Sequence, residues 1–372
     1  MNDNCKPIPA ARLTLSAGCF IQGSTLLAYA VHFYCRQDAW VAVLLGFVLC
    51  IPFLAIYRTL AVCFPGKSLI EINHTVLGKW IGSLFSALYL FFFFTLAVLN
   101  TRLLGDFVKE YVLPNTPIAI SVSLFIFVCC LAARHGAAVI VRYGAFFVIL
   151  LFFLFALTSV LLIKNMDAEN FLPMFAESPA DCAKGAFYVA MLPMGEVVVY
   201  LMMTPWLSKP DDAGKVFRGG ALIGGVTLLI VVLRIIAVLG VMALHTQSPN
   251  YYVVCLIDVG TILTRMEVLY SIILISMLFY KISVLLFAVS SGLGRLLKLD
   301  SYRFLVFTMG ALTVVSAQSV FSSSMEHMVW LKSTASVYSS LFVAILPTIT
   351  FVVAALRGLL KKKKGTENVC SQ

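Results

Sequence analysis

The chain has 372 residues, of which 61% are hydrophobic and 12% are charged. Charged residues make up roughly a quarter of an average soluble domain, and long uncharged apolar runs are typical of transmembrane helices. The composition therefore argues against a soluble globular protein and indicates a polytopic helical membrane protein. The formal net charge of +10 does not indicate a nucleic-acid partner, because the positions of the charges follow a membrane topology.

Ten apolar stretches are long enough to be transmembrane spans. They lie near residues 12–33, 40–63, 80–104, 117–133, 138–163, 186–207, 219–244, 266–294, 303–320 and 335–357. We expect residues 1–372 to form one integral membrane domain with halves at about 12–163 and 186–357 and a basic tail at 358–372. The segment Met1–Arg12 lacks an apolar core and a small-residue cleavage site, so we expect no cleaved signal peptide.

Span 1 is interrupted by small and polar residues. Gly18 and the run Gln22-Gly23-Ser24-Thr25 fall within it. Gly23 would permit a close approach to the backbone, and the hydroxyls of Ser24 and Thr25 would contact a polar ligand. The alternative is close helix packing, which small residues favour in membranes.

Span 3 carries polar residues around a run of four phenylalanines at 91–94. Thr95 and Asn100 would line a cavity, whereas the phenylalanines are expected to face lipid or the packed core. A short amphipathic stretch at residues 68–77 precedes span 3, and a second one at 251–265 precedes span 8.

The motif Leu192-Pro193-Met194-Gly195-Glu196 lies near the middle of span 6. Proline removes a helical hydrogen bond, glycine loosens the backbone, and a carboxylate in hydrocarbon is costly. One interpretation is a kinked helix whose Glu196 is held by a neighbouring span. The other is a broken helix that binds a small polar ligand at mid-membrane. We favour a pocket role for Glu196, because free backbone at the adjoining Gly195 would face the cavity.

Two cations also fall within predicted spans. Arg234 lies in span 7 and Lys281 in span 8. Either one would be costly if unpaired, so each is a candidate partner for Glu196. Lys281 is also a candidate for a fixed ammonium in place of a coupling ion.

Spans 1 and 6 would be the first helices of two five-span halves, and both are interrupted. Paired broken helices at matching positions of an inverted repeat indicate a transporter-type site at the midplane. The N-terminal end of a half-helix suits a carboxylate and free carbonyls suit an ammonium, so two facing breaks would hold an amino acid by its backbone. The candidate ligand-binding residues are Gly23, Ser24, Thr25, Thr95, Asn100, Leu192, Pro193, Gly195 and Glu196.

The distribution of basic residues predicts an orientation. With a cytoplasmic N-terminus, the inner segments carry 18 Lys and Arg residues and the outer segments carry 7. The remaining two of the 27, Arg234 and Lys281, fall inside spans. This bias satisfies the positive-inside rule with both termini cytoplasmic. The run Lys361–Lys364 would also attract anionic lipid, at about 1 kcal/mol per residue.

The remaining chemistry-bearing residues do not indicate an enzyme. The ten cysteines include no CxxC pair and no spacing with histidine that suits zinc, and the histidines are scattered. Cys35, Cys182 and Cys255 fall on the predicted outer side, and the sequence leaves open whether two of them form a disulfide. We identify no nucleophile–base arrangement or phosphate-binding loop, and we expect no cofactor and no metal.

Several motifs are similar to those of a known family. Asp38-Ala39-Trp40 opens span 2, and Phe64-Pro65-Gly66-Lys67-Ser68-Leu69-Ile70-Glu71 leads to Leu77-Gly78-Lys79-Trp80-Ile81-Gly82. Gly23-Ser24 matches a Gly-Ser pair in the first span of that family. Over essentially its whole length the chain resembles the B subunits of bacterial spore germinant receptors, the GerAB-type family of the amino acid/polyamine/organocation superfamily.

The sixth span of the family carries a Pro, Gly, Glu pattern followed by apolar residues and a proline. Leu192 to Glu196 and Pro205-Trp206 match it, although many members carry aromatic residues in the break where this chain has Met194. Gln22 and Thr25 would also reshape the pocket. These departures leave the ligand open.

The resemblance implies an all-helical LeuT-like fold of ten spans in the inner membrane of the dormant spore. It also implies a subunit that binds a nutrient germinant, usually an amino acid, and signals with an A subunit and a lipoprotein C subunit. Two other functions stay open, an amino-acid permease of the same superfamily and a membrane scaffold with a vestigial pocket.

Overall fold

The computed structural model describes residues 7–25, 29–246, 248–257 and 267–360. In chain order the α-helices within these ranges are α1 (Ala10–Ser24), α2 (Tyr29–Cys35), α3 (Ala39–Cys63), α4 (Leu69–Leu77), α5 (Lys79–Phe107), α6 (Ile118–Arg134), α7 (Ala137–Leu161), α8 (Pro179–Val189), α9 (Ala213–Leu239), α10 (Pro249–Cys255), α11 (Glu267–Leu296), α12 (Arg303–Ser319), α13 (Ser324–Ser333), α14 (Ala335–Ser340) and α15 (Leu346–Leu356). This architecture confirms the predicted all-helical class.

Seven helical stretches in this part of the chain are long and apolar enough to cross a bilayer. They are Ala30–Cys63, Lys79–Val112, Ala137–Leu161, Pro179–Met202, Pro210–Leu244, Glu267–Leu296 and Ala335–Leu356. They coincide with seven of the ten predicted spans. The other three predicted spans correspond to shorter helices, namely α1, α6 and α12. Helix α2, at the end of predicted span 1, falls within the stretch Ala30–Cys63.

Spans 1 and 6 both depart from regular α-helix. The α-helix of span 1 ends at Ser24, and α2 begins at Tyr29. Span 6 is α-helical to Val189, has π-helical hydrogen bonding over Ala190–Met194, and is a 3-10 helix over Gly195–Met202. A π turn is consistent with the effect of Pro193, which has no N–H to donate within the helix. Both interruptions lie where the sequence predicts them.

The interrupted spans lie at the centre of the bundle. In the most apolar 18 residues of Pro179–Met202, 94% of positions are buried, compared with 28% in Ala137–Leu161. Helix α1 packs against α7, α9 and α11, and α11 also packs against α5. The outer helices leave apolar side chains such as Phe146, Ile149 and Phe153 exposed, as expected for helices that face lipid.

Two helices lie outside the predicted spans. The amphipathic stretch before span 3 is α4, where Ser68 and Glu71 form a capping box and the Ser68 N–H donates to Glu71 Oε2 over 2.8 Å. Helix α13 was not predicted, and it is bent by 96° from α12. The second amphipathic stretch begins in α10, but its residues 258–265 lie outside the described residues.

Candidate functional site

A buried ion pair joins the two interrupted spans to α11. Lys281 Nζ lies 2.7 Å from Glu196 Oε2, and both side chains are almost completely removed from solvent. Lys281 Nζ donates to Ser24 Oγ over 2.7 Å, and Ser24 Oγ donates to Glu196 Oε2 over 3.1 Å. The hydroxyl, the carboxylate and the ammonium are thus one another's hydrogen-bonding partners. They meet where the α-helix of span 1 ends and where span 6 changes to a 3-10 helix.

Residues of α1 surround the alkyl chain and the charge of Lys281. A Cβ atom placed on Gly23 would lie 3.1 Å from Lys281 Cδ, so the absence of a side chain at Gly23 leaves room for the lysine. The ammonium also lies 5.3 Å from the centre of the Phe20 ring, within the range of a cation–π interaction. The chain therefore positions Lys281 through three residues of α1.

Arg234, the other candidate partner, lies elsewhere. It donates from Nη1 to Thr158 Oγ1 over 2.9 Å and lies 5.7 Å from the centre of the Phe155 ring. Its partners belong to α7, and the structure shows no ion pair between Arg234 and Glu196. Of the two predicted candidates, Lys281 is therefore the partner of Glu196, and the expectation for Arg234 is wrong.

A second polar cluster adjoins the ion pair and has no counterpart in the sequence prediction. Ser16 Oγ lies 2.8 Å from Tyr200 Oη and also hydrogen-bonds to Tyr280 Oη, and the two tyrosine hydroxyls lie 2.9 Å apart. All three residues are buried. In the sequence, these residues are visible only as polar side chains within three apolar spans. Tertiary packing alone brings them together.

Glu196 also lines a small cavity. Its volume is about 20 Å³, and Asn100, Leu192, His327 and Ser339 contribute to its wall. A cavity needs roughly 10–15 Å³ to hold one water, whereas ligand pockets usually measure about 300–1,000 Å³. This conformation therefore has room for about one water beside Glu196 and is closed to an amino acid.

A second cavity lies next to the first and shares Leu103 and His327 with it. Its volume is about 50 Å³, and Asp106, Glu110 and Asn250 lie in its wall. Asn250 Oδ1 is buried and accepts no hydrogen bond from the residues that the structure describes. Leu103 and His327 therefore separate the Glu196 cavity from an acidic vestibule.

Polar contacts surround this partition. Arg102 Nε lies 2.9 Å from Asp106 Oδ1, and Arg102 Nη1 donates to the Phe321 carbonyl over 2.7 Å. His327 Nδ1 lies 4.0 Å from Asp106 Oδ2. The Arg102–Asp106 pair lies within α5 and orients the guanidinium, and the hydrogen bond to Phe321 joins α5 to the bend between α12 and α13. Helix α13 carries His327.

Contacts on the opposite end of the molecule join α4, α11 and the end of span 6. Arg295 Nη1 lies 2.6 Å from Glu71 Oε2, and the guanidinium lies 5.6 Å from the centre of the Trp206 ring. The Ile8 N–H donates to the Trp206 carbonyl over 2.7 Å. A cavity of about 910 Å³ opens beside Arg295, Glu71 and Lys298.

Several predicted site residues make other contacts. Thr95 donates to the Phe91 carbonyl over 2.9 Å, and Thr25 donates to the Gln22 carbonyl over 2.6 Å. Neither lines the cavity beside Glu196. Asn100 does, and its amide donates to the Leu96 carbonyl over 2.7 Å. Pro193 is buried in the π-helical turn.

Gly195 corrects one premise of the sequence analysis. A Cβ atom at this position would lie 2.2 Å from Val343 Cγ1 and 2.8 Å from the Ala190 carbonyl oxygen. Gly195 therefore permits close packing against the π-helical segment Leu341–Ile345, and it does not face the cavity. The argument that drew on an open backbone at Gly195 is wrong.

Within the ranges given above, no group of three or more His, Cys, Asp and Glu side chains is arranged to hold a metal ion. The polar groups at the two interruptions are a hydroxyl, a carboxylate and an ammonium. Such groups bind charged or hydrogen-bonding organic molecules.

Comparison with known proteins identifies the family. Residues 14–326 match the family described as spore germination protein. The chain belongs to the spore germination protein family. Spore germination protein KB of Bacillus subtilis (strain 168) is 29% identical over 337 residues, which cover 89% of this chain and 90% of the relative. Spore germination protein YndE of the same organism is 21% identical over 322 residues, which cover 86% and 88%.

Solved structures define the fold of this family member. The closed conformation of Mhp1, a nucleobase-cation-symport-1 family transporter with bromovinylhydantoin bound, aligns with a TM-score of 0.67 at 14% identity and covers 98% of this chain and 85% of Mhp1. MhsT in complex with L-phenylalanine aligns with a TM-score of 0.65 at 14% identity and covers 96% and 92%. The fold is therefore the predicted LeuT-like fold of transporters. The protein belongs to a membrane family of germinant-sensing or permease-like proteins and not to a family of enzymes.

Proposed function

We propose that this protein is the germinant-sensing membrane subunit of a spore germination receptor. It binds a small molecule, an amino acid, between the interrupted spans 1 and 6 and signals to partner A and C subunits. The observation that carries the proposal is the buried contact of Lys281 with Glu196 and Ser24 at the two interruptions. The proposed location is the spore inner membrane, with both termini in the cytoplasm.

The chemistry of the ion pair matches an amino acid. A zwitterion carries one carboxylate and one ammonium, which are the two charges that Glu196 and Lys281 already hold 2.7 Å apart. An amino acid entering between them would give its carboxylate to Lys281 and its ammonium to Glu196. Both buried charges would then keep a partner, so the desolvation cost of a lone ion is avoided.

Opening is required before a ligand can enter. The 20 Å³ cavity beside Glu196 admits about one water, so the closed conformation excludes the ligand. A ligand that binds only an open conformation shifts the equilibrium towards it by its difference in affinity for the two states. This shift is the proposed signal, and the partner subunits would detect it as a rearrangement of the helical bundle.

The alternative function is an amino-acid permease. Its support is the arrangement of cavities on both sides of the ion pair, one behind Leu103 and His327 and one beside Arg295. A permease would open these two ends in turn, whereas a sensor needs only one of them to admit the ligand. Uptake of radiolabelled amino acids into proteoliposomes, compared with binding by the same preparation, separates the two functions.

The test uses the purified full chain in proteoliposomes and a panel of radiolabelled L-amino acids. We expect saturable binding of at least one of them by the wild type. Ser24→Ala should weaken it at least tenfold, because Ser24 Oγ bridges Lys281 and Glu196. The matched control is Thr308→Ala, which removes a hydroxyl exposed on α12 and should bind like the wild type.

Binding of no amino acid by a folded wild-type protein would refute the amino-acid proposal, as would equal losses in Ser24→Ala and Thr308→Ala. A germination assay in spores whose only receptor contains this chain then tests signalling. Binding without any germination response, together with uptake, would favour the permease.

A further inference from the structure

Two cysteine side chains meet where the half-helices leading to the candidate site are packed together. Cys35 is the last residue of α2, and Cys182 lies in the second turn of α8. The side chain of Cys182 is within hydrogen-bond reach of the Cys35 thiol. Both cysteines are free thiols in this structure.

The backbones of α2 and α8 approach closely at this point. A Cβ atom on Gly185 would lie 2.7 Å from Cys35 Sγ and 2.9 Å from the Ala42 side chain. The Cys35 thiol donates to the Asp181 carbonyl over 3.4 Å. Gly185 therefore permits the approach of α8 that places residue 182 beside residue 35.

The two thiols differ in access to water. Cys35 is fully buried, whereas Cys182 is partly exposed. The neighbouring Lys184 and Asp181 form an ion pair with 64% and 38% of their side chains exposed. This face of α8 therefore meets the aqueous phase, and a polar oxidant can reach Cys182.

We propose that Cys35 and Cys182 form a redox site, in which a small-molecule disulfide oxidises them to an intramolecular disulfide that fastens α2 to α8. The thiolate of Cys182, having lost its proton to solvent, attacks one sulfur of the oxidant and displaces a thiolate, which takes up a proton. Cys35 then loses its proton and attacks the Cys182 sulfur, displacing the second thiolate. The two cysteines lose two electrons, and the oxidant becomes two thiols.

The consequence of the crosslink follows from the positions of the helices. Helix α2 follows the interruption after Ser24, and α8 leads into the interruption at Ala190–Met194. A disulfide would restrict separation of these half-helices at the end where Cys182 is exposed. The positive-inside rule predicts that this end lies outside the cytoplasm, where disulfides persist.

Cys255 distinguishes this pair from the other arrangements that the sequence allows. It is exposed on α10, and its side chain interacts with Tyr251 and not with either of the other two cysteines. The structure thus selects one pair among the three candidates for a disulfide.

The experiment oxidises the purified full chain with oxidised glutathione, denatures it in acid, and counts free thiols with a polyethylene glycol maleimide. Wild type and Cys255→Ser should each lose two thiols on oxidation, regain them with dithiothreitol, and yield a peptide that links residues 35 and 182 by mass spectrometry. Cys35→Ser and Cys182→Ser should yield no linked peptide. The oxidised wild type should also unfold at a higher temperature than its reduced form, and Cys182→Ser should lack this shift.

A folded wild-type protein that keeps all its thiols after oxidation would overturn the proposal. A linked peptide containing residue 255 would also overturn it. So would a linkage between 35 and 182 that leaves the unfolding temperature unchanged, because the disulfide would then not stabilise the packing of α2 against α8.

Discussion

Lys281 Nζ and Glu196 Oε2 lie 2.7 Å apart, and at most 1% of either side chain is exposed to solvent. The pair connects α11 with the 3-10 helical part of span 6, and Ser24 connects both to the end of α1. Removing one partner of a buried ion pair usually costs about 3–5 kcal/mol, because the other charge stays desolvated. Loss of either partner alone should therefore destabilise the fold, and the same two charges are the ones proposed to recognise a ligand.

The first prediction concerns this pair. Glu196→Gln should lower the amount of protein in the membrane, because a neutral amide would replace the carboxylate and leave the buried charge of Lys281 uncompensated. The double variant Glu196→Gln with Lys281→Met should restore abundance, since it removes the uncompensated cation. Quantitative immunoblotting of membrane fractions measures both effects. Normal abundance of the single variant would show that Glu196 is dispensable for folding.

The second prediction concerns Gly195. Gly195→Ala would place a Cβ atom 2.2 Å from Val343 Cγ1, and overpacking of this kind costs typically about 1–3 kcal/mol. We expect a lower unfolding temperature in detergent, partly restored by Val343→Ala in the same chain. Gly23→Ala is the comparison, because its Cβ would meet Lys281 Cδ at 3.1 Å, a milder contact than 2.2 Å, and should change the unfolding temperature less. Equal destabilisation by both substitutions would contradict the packing argument.

The third prediction concerns the partition between the two cavities. Asp106→Asn removes the charge that Arg102 contacts at 2.9 Å and His327 faces at 4.0 Å. We expect the bend that carries His327 to open more often. A cysteine introduced at Ser339, in the wall of the Glu196 cavity, should then react several-fold faster with a thiol reagent added from the vestibule side. The same cysteine with Asp106 intact serves as the control, and identical rates would exclude this partition as a gate.

The fourth prediction concerns orientation. The 18-to-7 charge bias predicts Cys182 outside and Cys5 and Cys370 inside, although the latter two lie beyond the described residues. A membrane-impermeant maleimide applied to intact cells should label a variant that retains only Cys182, which is partly exposed on α8. Variants that retain only Cys5 or only Cys370 should label after permeabilisation. Labelling of Cys370 but not of Cys182 in intact cells would show that the topology is the inverse of the predicted one.

The sequence by itself determined the membrane class, most of the helical segments and the two interruptions. Apolar runs of bilayer length can satisfy their backbone only as helices in lipid, so composition alone leads to the helical class. Pro193 disrupts regular α-helical hydrogen bonding wherever the rest of the chain lies. The Phe64–Glu71 and Leu77–Gly82 motifs carried the family resemblance, and the family match over residues 14–326 confirms it.

Only the tertiary structure decided which residues meet. Arg234 and Lys281 are both single cations in apolar helices, and a helix that is apolar around its whole circumference gives no signal for the face that turns inward. Packing turns Lys281 towards Glu196 and Arg234 towards Thr158. The same reason hid the contact of Gly195 with Val343 and the cluster of Ser16, Tyr200 and Tyr280. Helix rotation and long-range packing set these contacts, and neither is encoded in the local periodicity of a buried span.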